Sequence, residues 1–357
     1  VTTTRLVILV VTYLLIAVQR VPYLRLNRPS AALLGAVAMV TIGGLPLHDA
    51  YAAIDLDVMV FLLGVLLITA FLEIGGFFEW AARHVVRRAR SPRALLAAVV
   101  VTSGLLSAFF VNDTICLVLT PLVLAALRPL GLKPLPFLLA VALGSNVGSA
   151  MTPMGNPQNM LIGVASGIPF AKFIASLAAP SLGGLAIVFG VLSFVHRESL
   201  SKSMPRDAEV PDAHFDAPLV RRALLVFGGA LIGWVSGLSL PLVAITAAAI
   251  LLAIAQRDPV KAFEKVEWSL LLFFGALFVV MRGARDLPLV GSLTTAAGSQ
   301  LHGAPFHDAI VTSAAMLALS NLVSNVPAVI LWLPVVPKVT APSFIWLVTA
   351  MSSTFAG

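Results

Sequence analysis

Apolar runs of about 14 to 20 residues recur along this chain, separated by short loops rich in Arg, Pro and Gly. Runs of that length predict helices that cross a membrane, because backbone groups inside lipid must be satisfied within the segment. Spans are predicted near Leu6–Val18, Ala31–Leu45, Val58–Ile74, Phe170–Phe194, Ala223–Leu238, Leu242–Ala255 and Ser269–Met281, with a further start near Phe344. Leu135–Ile162 is apolar but interrupted, and reads as a broken helix. Two longer segments, Ala94–Leu127 and Ala309–Val336, carry a polar knot midway. Their length and flanks predict re-entrant helix-turn-helix hairpins with tips near Asn112 and Asn325.

The two knots match. Residues 106–121 read LSAFFVNDTICLVLTP and residues 319–334 read LSNLVSNVPAVILWLP, so Ser107, Asn112 and Pro121 correspond to Ser320, Asn325 and Pro334. The match extends upstream, where Gly64 of Val58–Ile74 corresponds to Gly275 of Ser269–Met281. Odd and even crossings place the copies in opposite directions, an inverted repeat in which each copy supplies half of one central site. The expected fold is an all-α polytopic membrane protein with an inverted structural repeat, two re-entrant helical hairpins and broken transmembrane helices, the tips approaching each other near the midplane. The expected organisation is a two-helix segment at 1–52, a first repeat at 53–196, a polar linker at 197–222 and a second repeat at 223–357.

Composition agrees: 59% of the 357 residues are hydrophobic, 11% are charged, and the mean hydropathy is +1.00, far outside the soluble range. A net charge of +7 does not indicate nucleic acid, because the basic residues sit between spans. Arg20, Arg25, Arg28, Arg83, Arg87, Arg88, Arg90, Arg93, Arg128, Lys133, Arg197, Lys202, Arg206, Arg221, Arg222, Arg257, Lys261 and Lys265 fall on one side, and Arg5, Lys172, Arg282, Arg285 and Lys338 on the other. The 18 to 5 split makes the first side cytoplasmic. The segment Phe77–Arg90, aromatic at one end and basic at the other, reads as an amphipathic helix in the membrane interface. The single cysteine, Cys116, excludes a disulfide framework.

The densest polar chemistry follows the first hairpin, in LGSNVGSAMTPMGNPQNMLIG at 143–163. Pro153 and Pro157 remove N–H groups, and Gly148 and Gly155 admit non-helical dihedrals, so this stretch unwinds. Unwound backbone at membrane depth lines a cavity. Its carbonyls, with the oxygens of Ser145, Asn146, Thr152, Asn156 and Asn159, suit a cation, while a half-helix N-terminus beside them suits an anion. At the first tip Asn112, Asp113 and Thr114 are favourable N-cap types. Asp113 is the only carboxylate placed deep in a membrane segment, where charge is costly and usually functional. Burial would raise its pKa and make it a proton carrier; a bound cation would lower it.

These residues resemble the ion transporter superfamily, which includes arsenite-efflux permeases, sodium/proton antiporters and divalent anion/sodium symporters. VNDT at 111–114 and SNVP at 324–327 are similar to its paired hairpin-tip motifs, and SNVGSAMTPMGNPQN at 145–159 to its unwound segment. The carboxylate symporters carry Ser-Asn-Thr at both tips. Here the tips read Val-Asn-Asp and Ser-Asn-Val, closer to the arsenite-permease and general anion-permease branch. The resemblance implies substrate or ion contacts at Ser107, Asn112, Asp113, Thr114, Ser145, Asn146, Gly148, Thr152, Asn156, Asn159, Ser320, Ser324 and Asn325, with a transient Na+ at Ser107, Asn112 and Asn325. It also implies a second unwound segment that would begin at Met351–Gly357, where the sequence stops, so a C-terminally truncated sequence is expected.

The expectation is a secondary active transporter for a small inorganic or carboxylate anion in the cytoplasmic membrane of a prokaryote. It uses no cofactor beyond a coupling Na+ or H+. Membrane lipid, and a second copy in a homodimer, are the partners it admits; nucleic acid is not one. Arsenite or antimonite efflux and sodium/proton exchange are the alternatives within transport. An intramembrane enzyme would need a nucleophile and base, or a metal cluster; the spans hold no His or HExxH, and no Ser/Lys pair lies at membrane depth, Lys172 being counted on the outer side.

Overall fold

The computed structural model describes residues 2–18, 26–201, 214–339 and 341–356. Arg20, Arg25, Lys202 and Arg206, and the linker residues 202–213, lie outside the described residues. In chain order the helices are α1 Thr2–Val18, α2 Arg28–Thr41, α3 Leu47–Ala52, α4 Leu56–Ile74, α5 Phe77–Arg88, α6 Pro92–Phe109, α7 Asn112–Leu127, α8 Leu135–Ser149, α9 Pro157–Ser166 and α10 Phe170–Val195. They continue as α11 Arg197–Leu200, α12 Ala217–Val235, α13 Leu240–Ile254, α14 Pro259–Lys265, α15 Trp268–Arg285, α16 Pro288–Ser299, α17 Pro305–Val323, α18 Asn325–Trp332 and α19 Pro342–Phe355, with a 3-10 turn at Val336–Lys338. Among the described residues there is no strand, and α4, α6, α10, α12, α15 and α17 are long and apolar enough to cross a membrane.

Local sequence explains many of the helix starts. Asn27, Ser91, Asn156 and Asp216 each accept a hydrogen bond from an amide three residues on, and a proline follows within the first two helical positions. A side-chain acceptor satisfies one orphan N–H, and proline occupies a position that needs none. The structure moves three predicted boundaries. Helix α2 ends at Thr41 instead of Leu45, where Gly44 takes a positive φ of 64°. Helix α12 begins at Ala217, so Arg221 and Arg222, predicted as linker, are helical. The second arm of the second hairpin stops at Trp332 and not at Val336, because Pro334 and Pro337 follow in quick succession and neither can donate to the ladder.

The chain forms two compact units, residues 60–266 and residues 1–59 with 267–357. In the first, α6 and α7 make hairpin 1, joined by extended Phe110 and by Val111. Leu95, Val99 and Thr102 of α6 face Leu119, Val123 and Leu127 of α7 across one cleft, with Val86 of α5 closing it. Helix α8 lies along α6, and α10 packs on both. At one end, Lys265 pairs with Glu73 at 2.6 Å, Arg257 pairs with Asp216, and Arg222 donates to the Gln256 side chain at 2.7 Å. Burial opposes the Asp216 charge. The Arg257 hydrogen bond, the Leu219 amide and the Arg257 and His214 charges outweigh it and hold the carboxyl below its ordinary value.

In the other unit α1, α2 and α15 pack together, and hairpin 2, made of α17 and α18, packs against α19. Asp308 anchors its base, accepting from the His302 and Gly303 amides at 3.0 and 2.8 Å. A charge network ties the first three helices. Arg5 donates to the Gly43 and Gly44 carbonyls at 2.8 and 3.0 Å and pairs with Asp286 at 3.0 Å, while Arg282 bridges Asp286 and Asp49 at 3.0 and 3.2 Å. Arg5 is buried and the two carbonyls it holds belong to the turn that follows α2. Arg5→Met should therefore cost about 2 kcal/mol, most of it from carbonyls left without a donor. Thermal melting in detergent checks this; an unchanged midpoint would show that water replaces the guanidinium without loss.

Candidate functional site

Hairpin 1 and the unwound segment after α8 form one polar assembly. Pro153 and Pro157 break the helix between Ser149 and Pro157. The hairpin tip satisfies part of the break: the Asn112 amide donates to the Gly155 carbonyl at 2.9 Å, and the Thr152 hydroxyl donates to the Ala108 carbonyl. Asn156 caps α9 through the Asn159 amide at 2.9 Å, and its Nδ2 donates to Ser149 Oγ at 2.9 Å. Asn159 Nδ2 lies 3.2 to 3.4 Å from the carbonyls of Ser149, Ala150 and Thr152. Thr152, Asn156 and Asn159 are wholly buried, so these bonds form out of water, where an unmade bond is expensive.

Two glycines allow the chain to come this close. A Cβ on Gly148 would lie 2.2 Å from the Gly104 carbonyl oxygen of α6, and one on Gly155 would lie 2.2 Å from the Ser149 carbonyl oxygen. Ser145 donates to the Ala142 carbonyl at 3.1 Å and meets Cys116 Sγ at 2.7 Å, which links α8 to α7. Asn146 lies one helical turn before the break, its carbonyl accepting from Ser149 Oγ at 2.7 Å.

Part of this assembly is left unsatisfied. Ser107 Oγ and Asn159 Oδ1 are buried with no partner among the described residues. The Asn112 side chain is half-buried and makes no hydrogen bond to a described residue. The N-cap of α7 is Val111, which has no side-chain cap, so Asn112, Asp113 and Thr114 occupy the first turn and not the N-cap position expected of them. The orphan N–H of Asn112 is satisfied instead by the Gly155 carbonyl. Asp113 is exposed and Thr114 is buried.

Hairpin 2 repeats this chemistry within its own unit. Ser320 Oγ is buried with no partner, and the half-buried Asn325 side chain makes no hydrogen bond to a described residue. Ser324 caps α18 at φ 73° and ψ 161°, with no side-chain cap. That backbone region is disfavoured for any residue with a Cβ, and such strain tends to persist where function requires it. A cavity of about 330 Å3 in this unit is bordered by Met281, Arg285, Ile330 and Pro334, and does not include Ser320, Ser324 or Asn325. The matched glycines differ: a Cβ on Gly64 would lie 2.6 Å from the Ala244 carbonyl carbon, whereas one on Gly275 would meet, among the described residues, only Met59 Cε at 3.9 Å.

The sequence reading missed Ser149. It is wholly buried, donates to the Asn146 carbonyl and accepts from Asn156, so it holds the two sides of the break together. A serine late in a helix gives little local signal, since its role here depends on a partner seven residues on.

Apolar helices of crossing length, together with broken elements bearing buried polar groups, are the architecture of a multi-pass membrane protein. The chain belongs to the citrate transporter family, whose match runs over residues 13–356, and so to the ion transporter superfamily. It is 31% identical to the silicon efflux transporter LSI3 of Oryza sativa subsp. japonica, over 97% of this chain and 85% of that protein. It is 32% identical to inner membrane protein YbiR of Escherichia coli, over 80% of this chain and 73% of the relative. The putative transporter arsB of Dictyostelium discoideum is 29% identical over 46% of this chain and 29% of its own length.

Proposed function

We propose that the chain is a secondary active transporter that moves a small anion or oxyanion across the cytoplasmic membrane of a prokaryote by alternating access, coupled to protons or sodium. One observation carries this reading: at matched positions, each hairpin offers a buried serine hydroxyl, Ser107 and Ser320, and a half-buried asparagine amide, Asn112 and Asn325, that have no hydrogen-bond partner among the described residues. Polar groups left unmade in a packed interior are expensive, and a ligand that satisfies them accounts for their persistence. Asn and Ser offer both donors and acceptors, so the same groups suit an anion or a coupling Na+. Asn159 Oδ1 adds an acceptor whose own amide is already engaged. The family is named for citrate and the rice relative for silicon efflux, both small solutes.

Asp113 is the group assigned to coupling. It stands in the first turn of α7, where the helix dipole favours negative charge. A substrate anion competes with this carboxylate for the same positive end, and protonation removes the competitor. Anion and proton therefore bind together. Asp113→Asn should keep substrate binding but lose the dependence of transport on the pH gradient. Flux of arsenite, silicate, sulfate, citrate and succinate is measured in proteoliposomes against pH, sodium absent, for wild type and variant. A pH profile unchanged in the variant would remove Asp113 from coupling and favour sodium, and no flux for any of these solutes would reject the anion reading.

A further inference from the structure

Helix α5 carries a surface that the hairpin chemistry does not use. Phe78, Ala82 and Val86, spaced four apart, are buried, and α5 packs against both arms of hairpin 1. Its other face is aromatic at one end and cationic at the other. Trp80 stacks on Phe77 at 6.1 Å, on His84 at 5.1 Å and on Phe215 at 5.9 Å, and Trp80 and Phe215 remain 42% and 40% exposed. Beyond them Arg88, Arg90 and Arg93 are exposed and form no ion pair among the described residues. Arg128 and Lys133, at the far end of α7 and just after it, are exposed in the same way. From residue 80 to 133 the one carboxylate is Asp113, at the opposite end of α7 from Arg128 and roughly 20 Å away along the helix.

We propose that this surface binds anionic phospholipid headgroups, the guanidinium groups on the phosphates and the Trp80–Phe215 stack among the glycerol and first methylenes. An orientation signal needs cations alone; it leaves the exposed aromatic stack beside them unexplained. A free soluble anion needs a concave site, and these arginines stand on an outer surface. Amphipathic helices of this composition lie in the membrane interface, and clustered basic residues beside a membrane select anionic lipid. Because α5 touches both arms of hairpin 1, bound lipid holds that hairpin in its packed form.

The test uses the full chain purified in neutral detergent. Phosphatidylglycerol should raise its melting midpoint by roughly 5 °C at saturation, phosphatidylcholine should not, and high salt should cancel the shift. The triple variant Arg88→Gln, Arg90→Gln, Arg93→Gln should lose it. A variant of equal charge change elsewhere, Arg197→Gln, Arg221→Gln, Lys261→Gln, should keep it. An equal shift from soluble glycerol phosphate, or equal loss in both variants, would overturn the proposal. Should the triple variant not fold, brominated phosphatidylglycerol decides: it should quench a share of wild-type tryptophan emission that is missing in Trp80→Phe. Identical quenching in the two proteins would refute lipid contact at α5.

Discussion

Asn112→Ala and Asn325→Ala should each cut transport at limiting substrate by about 10- to 100-fold, the cost of one hydrogen bond to a charged ligand, while leaving the melting midpoint almost unchanged. The two halves of this expectation come from one fact. Neither side-chain amide bonds to a described residue, so truncation removes no internal contact and should alter stability by no more than about 0.5 kcal/mol. Asn159→Ala supplies the contrast. Its amide serves three carbonyls of the break, and their loss should lower stability and transport together. Flux in proteoliposomes beside thermal melting in detergent separates these outcomes. Near-normal flux in either tip variant would reduce that asparagine to a bystander.

The parts of this fold that were legible in the sequence are those with a local cause. Ser91-Pro92 and Asn156-Pro157 announce helix starts, and Pro153 with Gly148 and Gly155 announces the break, because the controlling groups lie within a few residues. The hairpins were legible from the matched knots at Asn112 and Asn325. The tip itself was misread in detail. Asn and Asp are favoured N-caps, but the cap falls on Val111, and the backbone N–H of Asn112 finds its acceptor at Gly155, 43 positions away in the chain, a partner that no local pattern announces. The Arg5–Asp286 network, spanning 281 positions, leaves no periodic signal at all. The short arm α18 ends early because Pro334 is followed by Pro337, whereas its counterpart Pro121 stands alone and is tolerated inside α7.

The other large effect is expected at Gly148. A Cβ built there lies 2.2 Å from the Gly104 carbonyl oxygen and 2.3 Å from its Cα, and backbone atoms cannot swing aside as the end of a side chain can. Helices α6 and α8 would have to separate, and small residues at such contacts are what let membrane helices associate without a hydrophobic drive between them. Gly148→Val should cost about 3 kcal/mol or more, the upper range for overpacking. Separation would also pull Thr152 from the Ala108 carbonyl and Gly155 from the Asn112 amide, so the tip loses its support and transport falls with stability. Gly183→Ala in α10 is the matched control: nothing lies within 4 Å of its Cβ position, and alanine gains about 1 kcal/mol of helix propensity over glycine. Yield of monodisperse protein and melting midpoint should therefore move in opposite directions for the two variants. A Gly148→Val protein that melts like wild type would mean that α6 and α8 can part at this level, and that the close approach of Gly104 and Gly148 is not what holds the break in register.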